Sequence, residues 1–286
     1  MREYSNVNIV DIGSDARIEL RYDDAMAEHS VRCEIIGTGG MDRCPSFKDG
    51  ILSFGCNDEH HHGWDAPHVH FPVNRFPSNL TNGVTCKTQG TGNIAVINDG
   101  SIASAASCDG GINAIIITAK SFDHAIFHST DLNLRVGGAK LQSLRMEATN
   151  GNISGTVNAR EILAGITNCM IDIMPVGRIT TLYLKATSGK IKSDFTETVG
   201  FDYVRIGMTD DDVLLRNVPD NDKRSFHGDV KVGLTHGNIS VITKTGSCRH
   251  VSMRTHHGEM HDGTRKSAAS NLDVVCTSTD GRISIR

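Results

Sequence analysis

Five stretches in the second half of the chain alternate apolar and polar residues, reach a glycine, and resume with one more aliphatic side chain. Aligned on that glycine they read LRMEATNGNIS (Leu144 to Ser154), LYLKATSGKIK (Leu182 to Lys192), VKVGLTHGNIS (Val230 to Ser240), VSMRTHHGEMH (Val251 to His261) and VVCTSTDGRIS (Val274 to Ser284). Seven and five residues before the glycine stand Leu144 and Met146, Leu182 and Leu184, Val230 and Val232, Val251 and Met253, and Val274 and Cys276. Two residues after it stand Ile153, Ile191, Ile239, Met260 and Ile283. A period of two is that of a strand with one buried face. The glycines Gly151, Gly189, Gly237, Gly258 and Gly281 then mark bends where φ is free to turn positive.

One such unit cannot close its own core, whereas stacked units bury a continuous apolar column. Gly237 to Gly258 is 21 residues and Gly258 to Gly281 is 23, lengths that suit one coil of a solenoid. The expected fold class is therefore all-β: a β-solenoid, single-stranded and β-helix-like, with a right-handed wind. Weaker copies at Gly92, Gly100, Gly177 and Gly228 indicate longer coils and bulges. Polar residues beside the glycines should form ladders, neighbouring coils being about 4.8 Å apart. Two before the glycine these are Thr149, Thr187, Thr235, His256 and Thr279; one before, Asn150, Ser188, His236, His257 and Asp280; one after, Asn152, Lys190, Asn238, Glu259 and Arg282. The plain reading of these rows is turn chemistry and edge solubility.

Residues 1–78 look different. Alternating segments at Val7 to Val10, Ala16 to Leu20, Ser30 to Ile35 and Gly50 to Phe54 predict an antiparallel β cap on one end of a solenoid spanning 79–286, since an open end exposes unpaired backbone groups. Only Ala159 to Ala164 has local helical propensity, and it is too short to stand alone.

Composition agrees. Ile, Val and Thr number 26, 20 and 23 against 14 Leu, with 29 Gly and 6 Pro, a strand-and-turn balance. The net charge of −4 comes without a basic run, which argues against nucleic acid as a partner. The longest apolar stretch, Ile112 to Ala119, is far short of the roughly 20 residues that span a bilayer as a helix. Eight cysteines (33, 44, 56, 86, 108, 169, 248, 276) show no CxxC and no regular spacing, a pattern of free thiols rather than a disulfide framework. With no signal-peptide layout at the start, an intracellular location, cytoplasmic or organellar, is the expectation, and an extracellular one if a leader was removed.

An early alternating strand (Ala16 to Leu20), Asp49-Gly50-Ile51-Leu52-Ser53-Phe54, then His70-Phe71-Pro72-Val73 and the Gly-x-Ile coils resemble the adhesin-like β-strand-repeat family of domains of unknown function. The resemblance covers most of the chain. It implies a strand-rich cap followed by a β-solenoid and little about function, since no catalytic residues are established for the family. The richness in His and Cys departs from the family pattern and favours a scaffold or complex subunit over an extracellular adhesin.

Three constellations bear on chemistry. Within Asp58 to His70, the imidazoles of His60, His61, His62, His68 and His70 offer nitrogen donors of the kind zinc, nickel or copper accept. His236, His256, His257 and His261 form a second group, in which consecutive coils would set His236 beside His257. Asp194, Asp210, Asp211, Asp212, Arg205 and Arg216 are the residues from which an acidic catalytic groove would have to be built. No GxSxG, GxxxxGK[ST] or HExxH occurs.

The sequence thus favours a non-enzymatic, adhesin-like structural or interaction scaffold that binds protein or glycan surfaces and uses no cofactor. The alternatives are a metal-binding protein working through His60 to His70 and a carbohydrate-active β-helix enzyme. Because Arg282 to Arg286 alternates to the last residue, the C-terminal strand is expected to be a free edge open to a protein partner or to self-association.

Overall fold

In a computed structural model, residues 2–6, 9–12, 17–28, 30–37, 46–48, 51–54, 103–105, 112–220 and 228–286 are described. The strands are β1 (Arg2–Ser5), β2 (Ile9–Ile12), β3 (Arg17–Tyr22), β4 (Ser30–Gly37), β5 (Ser46–Lys48), β6 (Ile51–Phe54), β7 (Ala103–Ala105), β8 (Ile112–Ala119), β9 (Ser121–Pro175) and β10 (Gly177–Asp194). They continue as β11 (Thr198–Met208), β12 (Val213–Val218), β13 (Gly228–His236), β14 (Ile239–Thr243), β15 (Ser247–Cys248), β16 (His250–His257), β17 (Met260–Asp262), β18 (Arg265–Lys266), β19 (Leu272–Asp280) and β20 (Ile283–Ile285). No helix occurs among the described residues, and the strands stack in parallel as a β-solenoid of about seven turns. The segment with local helical propensity, Ala159 to Ala164, lies inside β9 with Ala159, Ile162 and Ala164 in the core. Tertiary burial of alternate side chains overrides a weak local preference.

The core is a set of apolar rows running along the solenoid axis. One consists of Ile171, Ile191, Val213, Ile239 and Ile283, each paired in parallel with the next and each at most 1% exposed. A second runs Ile162, Leu182, Val204, Val230 and Val274, all with 0% exposure. Phe195 and Phe201, also fully buried, pack with ring centroids 5.8 Å apart. Ile153, Ile191, Ile239 and Ile283 all point inward, as the alternation requires.

The order in which coils stack departs from the order in which the chain makes them. β13 pairs with β19 and β14 with β20, while β16 pairs with the far side of β19 and β17 with the far side of β20. After the coil carrying Gly237 the chain skips a level, builds the coil carrying Gly258, and returns to fill the gap with the coil carrying Gly281. Gly237 and Gly258, 21 residues apart, are therefore not adjacent. The expectation of a free C-terminal edge is corrected by the same pairing: Ile283–Ile285 has a neighbour on both sides, and among the described strands the edge paired on one side only belongs to β16 and β17.

The inward residues explain the order. The inner coil presents Val274, Cys276, Ile283 and Ile285, all with 0% exposure. In the outer coil, Thr255 and Asp262 occupy positions facing Ser278 and Ile285. A carboxylate at an inward position costs least on the level that water reaches.

Toward the other end, β2 and β3 join in parallel register to β9, and β3 also to β8. β4 runs antiparallel to both β1 and β8, and β5 runs antiparallel to β6.

Candidate functional site: a laddered face and its glycine corner

Each coil turns at one corner, and the corner residues of successive levels stack. Cys169 lies opposite Gly189, and the other corner residues follow at Asp211, Gly237, Gly281 and Gly258. At Gly189, Gly237 and Gly281 the backbone has φ of +115°, +123° and +122°, and an added Cβ would overlap the carbonyl oxygen of the level beside it. Glycine is required there by both conformation and space. Asp211 holds φ +82° at the equivalent corner. Sequence reading missed Asp211 and Cys169 because neither is glycine; short polar side chains such as Asp do visit this region.

The residues one before the corner form a continuous polar ladder. Asn150 Nδ2 donates to Asp131 Oδ1 (2.5 Å), Asn168 Nδ2 donates to Asn150 Oδ1 (2.9 Å) and Ser188 Oγ donates to Asn168 Oδ1 (2.6 Å). Farther along, His236 Nδ1 lies 2.9 Å from Asp210 Oδ1 and its Nε2 lies 3.4 Å from Asp280 Oδ2. His257 stands opposite Asp280 from the next level. Asp280 thus separates His236 from His257, which corrects the expected imidazole pair. An open groove of about 430 Å³ runs beside the amide part of this ladder, with Asn133, Asn152 and the 59% exposed Met170 in its lining.

Two residues before the corner lies a threonine row. Thr149 and Thr167 precede the hydrogen-bonded Asn150 and Asn168. The Thr209 amide donates to the Thr187 carbonyl, the His236 amide donates to the Thr209 carbonyl, and Thr235 and Thr279 sit at matching positions of β13 and β19. His256 closes the row on β16. Four of the six threonines were legible from the glycine alignment; Thr167 and Thr209 were not, because their coils turn at Cys169 and Asp211.

On the same sheet surface, Lys185, Gly207, Gly233, Thr277 and Arg254 form a parallel row. Beside it run Tyr183, Arg205, Lys231, Val275 and Ser252. Arg205 caps the exposed Tyr203 ring at 5.3 Å and holds Asp229 at 2.8 Å, with Lys231 3.3 Å from the same oxygen. Burial would raise the Asp229 carboxyl, but these two cations hold it below the usual carboxylate range. The rows repeat in register from coil to coil.

The other expected constellations resolve differently. His60, His61, His62, His68 and His70 lie outside the described residues, and among the described residues no group of three or more His, Cys, Asp or Glu side chains is arranged to hold a metal ion. Of the carboxylates and arginines weighed as a catalytic groove, Asp194, Asp210, Asp212 and Arg205 are engaged in separate structural contacts. Asp194 accepts from Thr196 and Asn217, Asp212 accepts from Asn238, Asp210 meets His236, and Arg205 meets Asp229. Cys33, Cys169, Cys248 and Cys276 are free and buried. No helix of the described residues is long and apolar enough to cross a membrane. Compared with known proteins, the chain matches no family model, no curated protein and no solved structure.

Proposed function

We propose that this protein is a non-enzymatic, adhesin-like scaffold whose laddered solenoid face binds repetitive protein or glycan surfaces. The observation that carries the reading is the threonine row Thr149, Thr167, Thr187, Thr209, Thr235 and Thr279, held in register on consecutive levels. Six hydroxyls repeating at about 4.8 Å form a periodic donor and acceptor array on a backbone already fixed by the sheet. Little ordering entropy is left to lose on binding, so weak contacts summed along the row give useful affinity. The exposed Tyr203 and the Tyr183 beside Arg205 add aromatic area of the kind that stacks on sugar rings.

In this reading the solenoid winds right-handed and the antiparallel strands β1, β4 and β5 cover its first level, protecting the sheet from edge pairing. The reading is tested by co-sedimentation of the purified full chain with insoluble polysaccharides and by a glycan array. Wild type should bind at least one extended polymer, and Thr209→Lys with Thr235→Lys should abolish binding without lowering Tm. A chain that binds no polymer and recovers no protein partner in a native pull-down sinks the reading.

A further inference from the structure

We infer that the open end of the solenoid docks a second copy of this chain, end to end, about a two-fold axis through the Gly258 corner. The inference stands apart from the laddered face, which lies along the side of the solenoid.

Beside the polar Thr255 and Asp262, the end keeps apolar side chains that water reaches. Met260 is 52% exposed, whereas its row-mate Ile283 has 0% exposure and Ile239 1%. Val251 and Met253 pack against the core but are only half-buried, at positions where the inner coil carries the fully buried Val274 and Cys276. Among the described strands, β16 pairs only with β19 and β17 only with β20, so the outer edge of this level presents backbone donors and acceptors. The last described residues cannot cover it, because Ile283–Ile285 is held beneath β17. An exposed edge with an apolar margin is a template for another strand.

Charge selects the occupant. In the row before the corner, acids alternate with imidazoles from level to level at this end. Before the corner the order is Asp210, His236, Asp280, His257; after it, Arg282 faces Glu259 at 3.9 Å. The next level should therefore bring an acid over His257 and a base or N–H donor over Glu259. His257 and Glu259 sit symmetrically about Gly258 in the sequence. A two-fold axis through that corner reverses the coil direction, laying Glu259 of a second copy over His257 and its His257 over Glu259. The imidazole donates an N–H to a carboxylate in either protonation state. A copy stacked in the same direction would instead bring its opposite end, not its own Gly258 corner, to this edge. The two-fold arrangement is self-complementary, closes at two copies, and buries Val251, Met253 and Met260 of both.

The test is sedimentation equilibrium of the full chain up to tens of micromolar, with thermal melts to confirm folding. Wild type should be a dimer. His257→Glu opposes like charges across the axis and should weaken association by about tenfold or more. Adding Glu259→Lys to it exchanges the two signs and should restore association, and Met260→Glu should give a monomer that still folds. A wild-type monomer at these concentrations overturns the proposal and makes the edge charges guards against pairing. A dimer indifferent to Met260→Glu, or one that the double exchange fails to recover, overturns it equally.

Discussion

Ile239 and Ile283 are 44 residues apart in the chain and are direct parallel neighbours in the core, both essentially without solvent exposure. The level between them in chain order, with Met260, lies outside Ile283. Ile283→Ala should therefore behave as a deep-core truncation, costing about 2–5 kcal/mol in a denaturant titration. Within a single copy, as in the His257→Glu background, Met260→Ala should cost less than about 1 kcal/mol, since half of that side chain is wet there. If stacking followed chain order, the C-terminal residue would be the tolerant one and the ranking would invert.

The glycines divide in the same way. At Gly281 the φ of +122° and the Gly237 carbonyl together forbid a side chain. Gly281→Ala should cost more than about 2 kcal/mol, combining backbone strain with displacement of a packed level. Gly207 lies on a strand facing outward with nothing within 4 Å of an added Cβ. Gly207→Ala should be neutral or should stabilise by up to about 1 kcal/mol through a less flexible unfolded chain. Paired thermal melts check both.

What the sequence made legible was local and what it hid was relational. Period-two alternation identified Leu182, Val230 and Val274 as inward, and the glycine alignment found the corner, because both are properties of a single coil. Asp211 and Cys169 escaped because a corner tolerates residues other than glycine. Stacking order escaped because the coils of Gly237, Gly258 and Gly281 share one pattern, and pairing between near-identical units is decided by differences of burial. A faint signal was present: Thr255 and Asp262 make one coil less apolar than its neighbours, which suits it for the end. Of the proposed binding face, four threonines were readable and two depended on the register. Neither Tyr203 nor the row of Gly207 and Gly233 could be placed beside them without the coil-to-coil pairing.

Asp229 supplies a pH test. Its carboxyl is held low by Arg205 and Lys231 against the opposing effect of burial. A depressed folded value means that the carboxylate contributes stability above the unfolded value of about pH 4 and that the contribution disappears as pH falls through the folded value. Asp229→Asn should lower Tm at pH 7, and the gap from wild type should narrow steadily as the pH falls below about 4. Parallel curves over that range would mean that the Arg205 contact contributes nothing measurable, as exposed ion pairs often do.

Thiol reactivity reads the level order directly. Burial pushes the Cys169 thiol up to about 11 and those of Cys248 and Cys276 up to about 12, with nearby aspartates adding to the effect at Cys169 and Cys248. The thiolate is the reactive form, so at neutral pH each of these cysteines should react with iodoacetamide at least about 100-fold more slowly than an unfolded peptide. Cys169, at a corner and 6% exposed, should react first. Cys276 lies in β19 between Val232 and Met253. It should become reactive only when the outer level of β16 and β17 opens, which makes its rate a measure of that local opening. Timed alkylation followed by peptide mapping gives the order. If Cys276 reacts as fast as Cys169 in the folded protein, β19 has no second neighbour and the inserted last coil is wrong. If it reacts later, and faster once Met253→Ala loosens the outer level, the coil of Gly281 lies between those of Gly237 and Gly258 in solution as well.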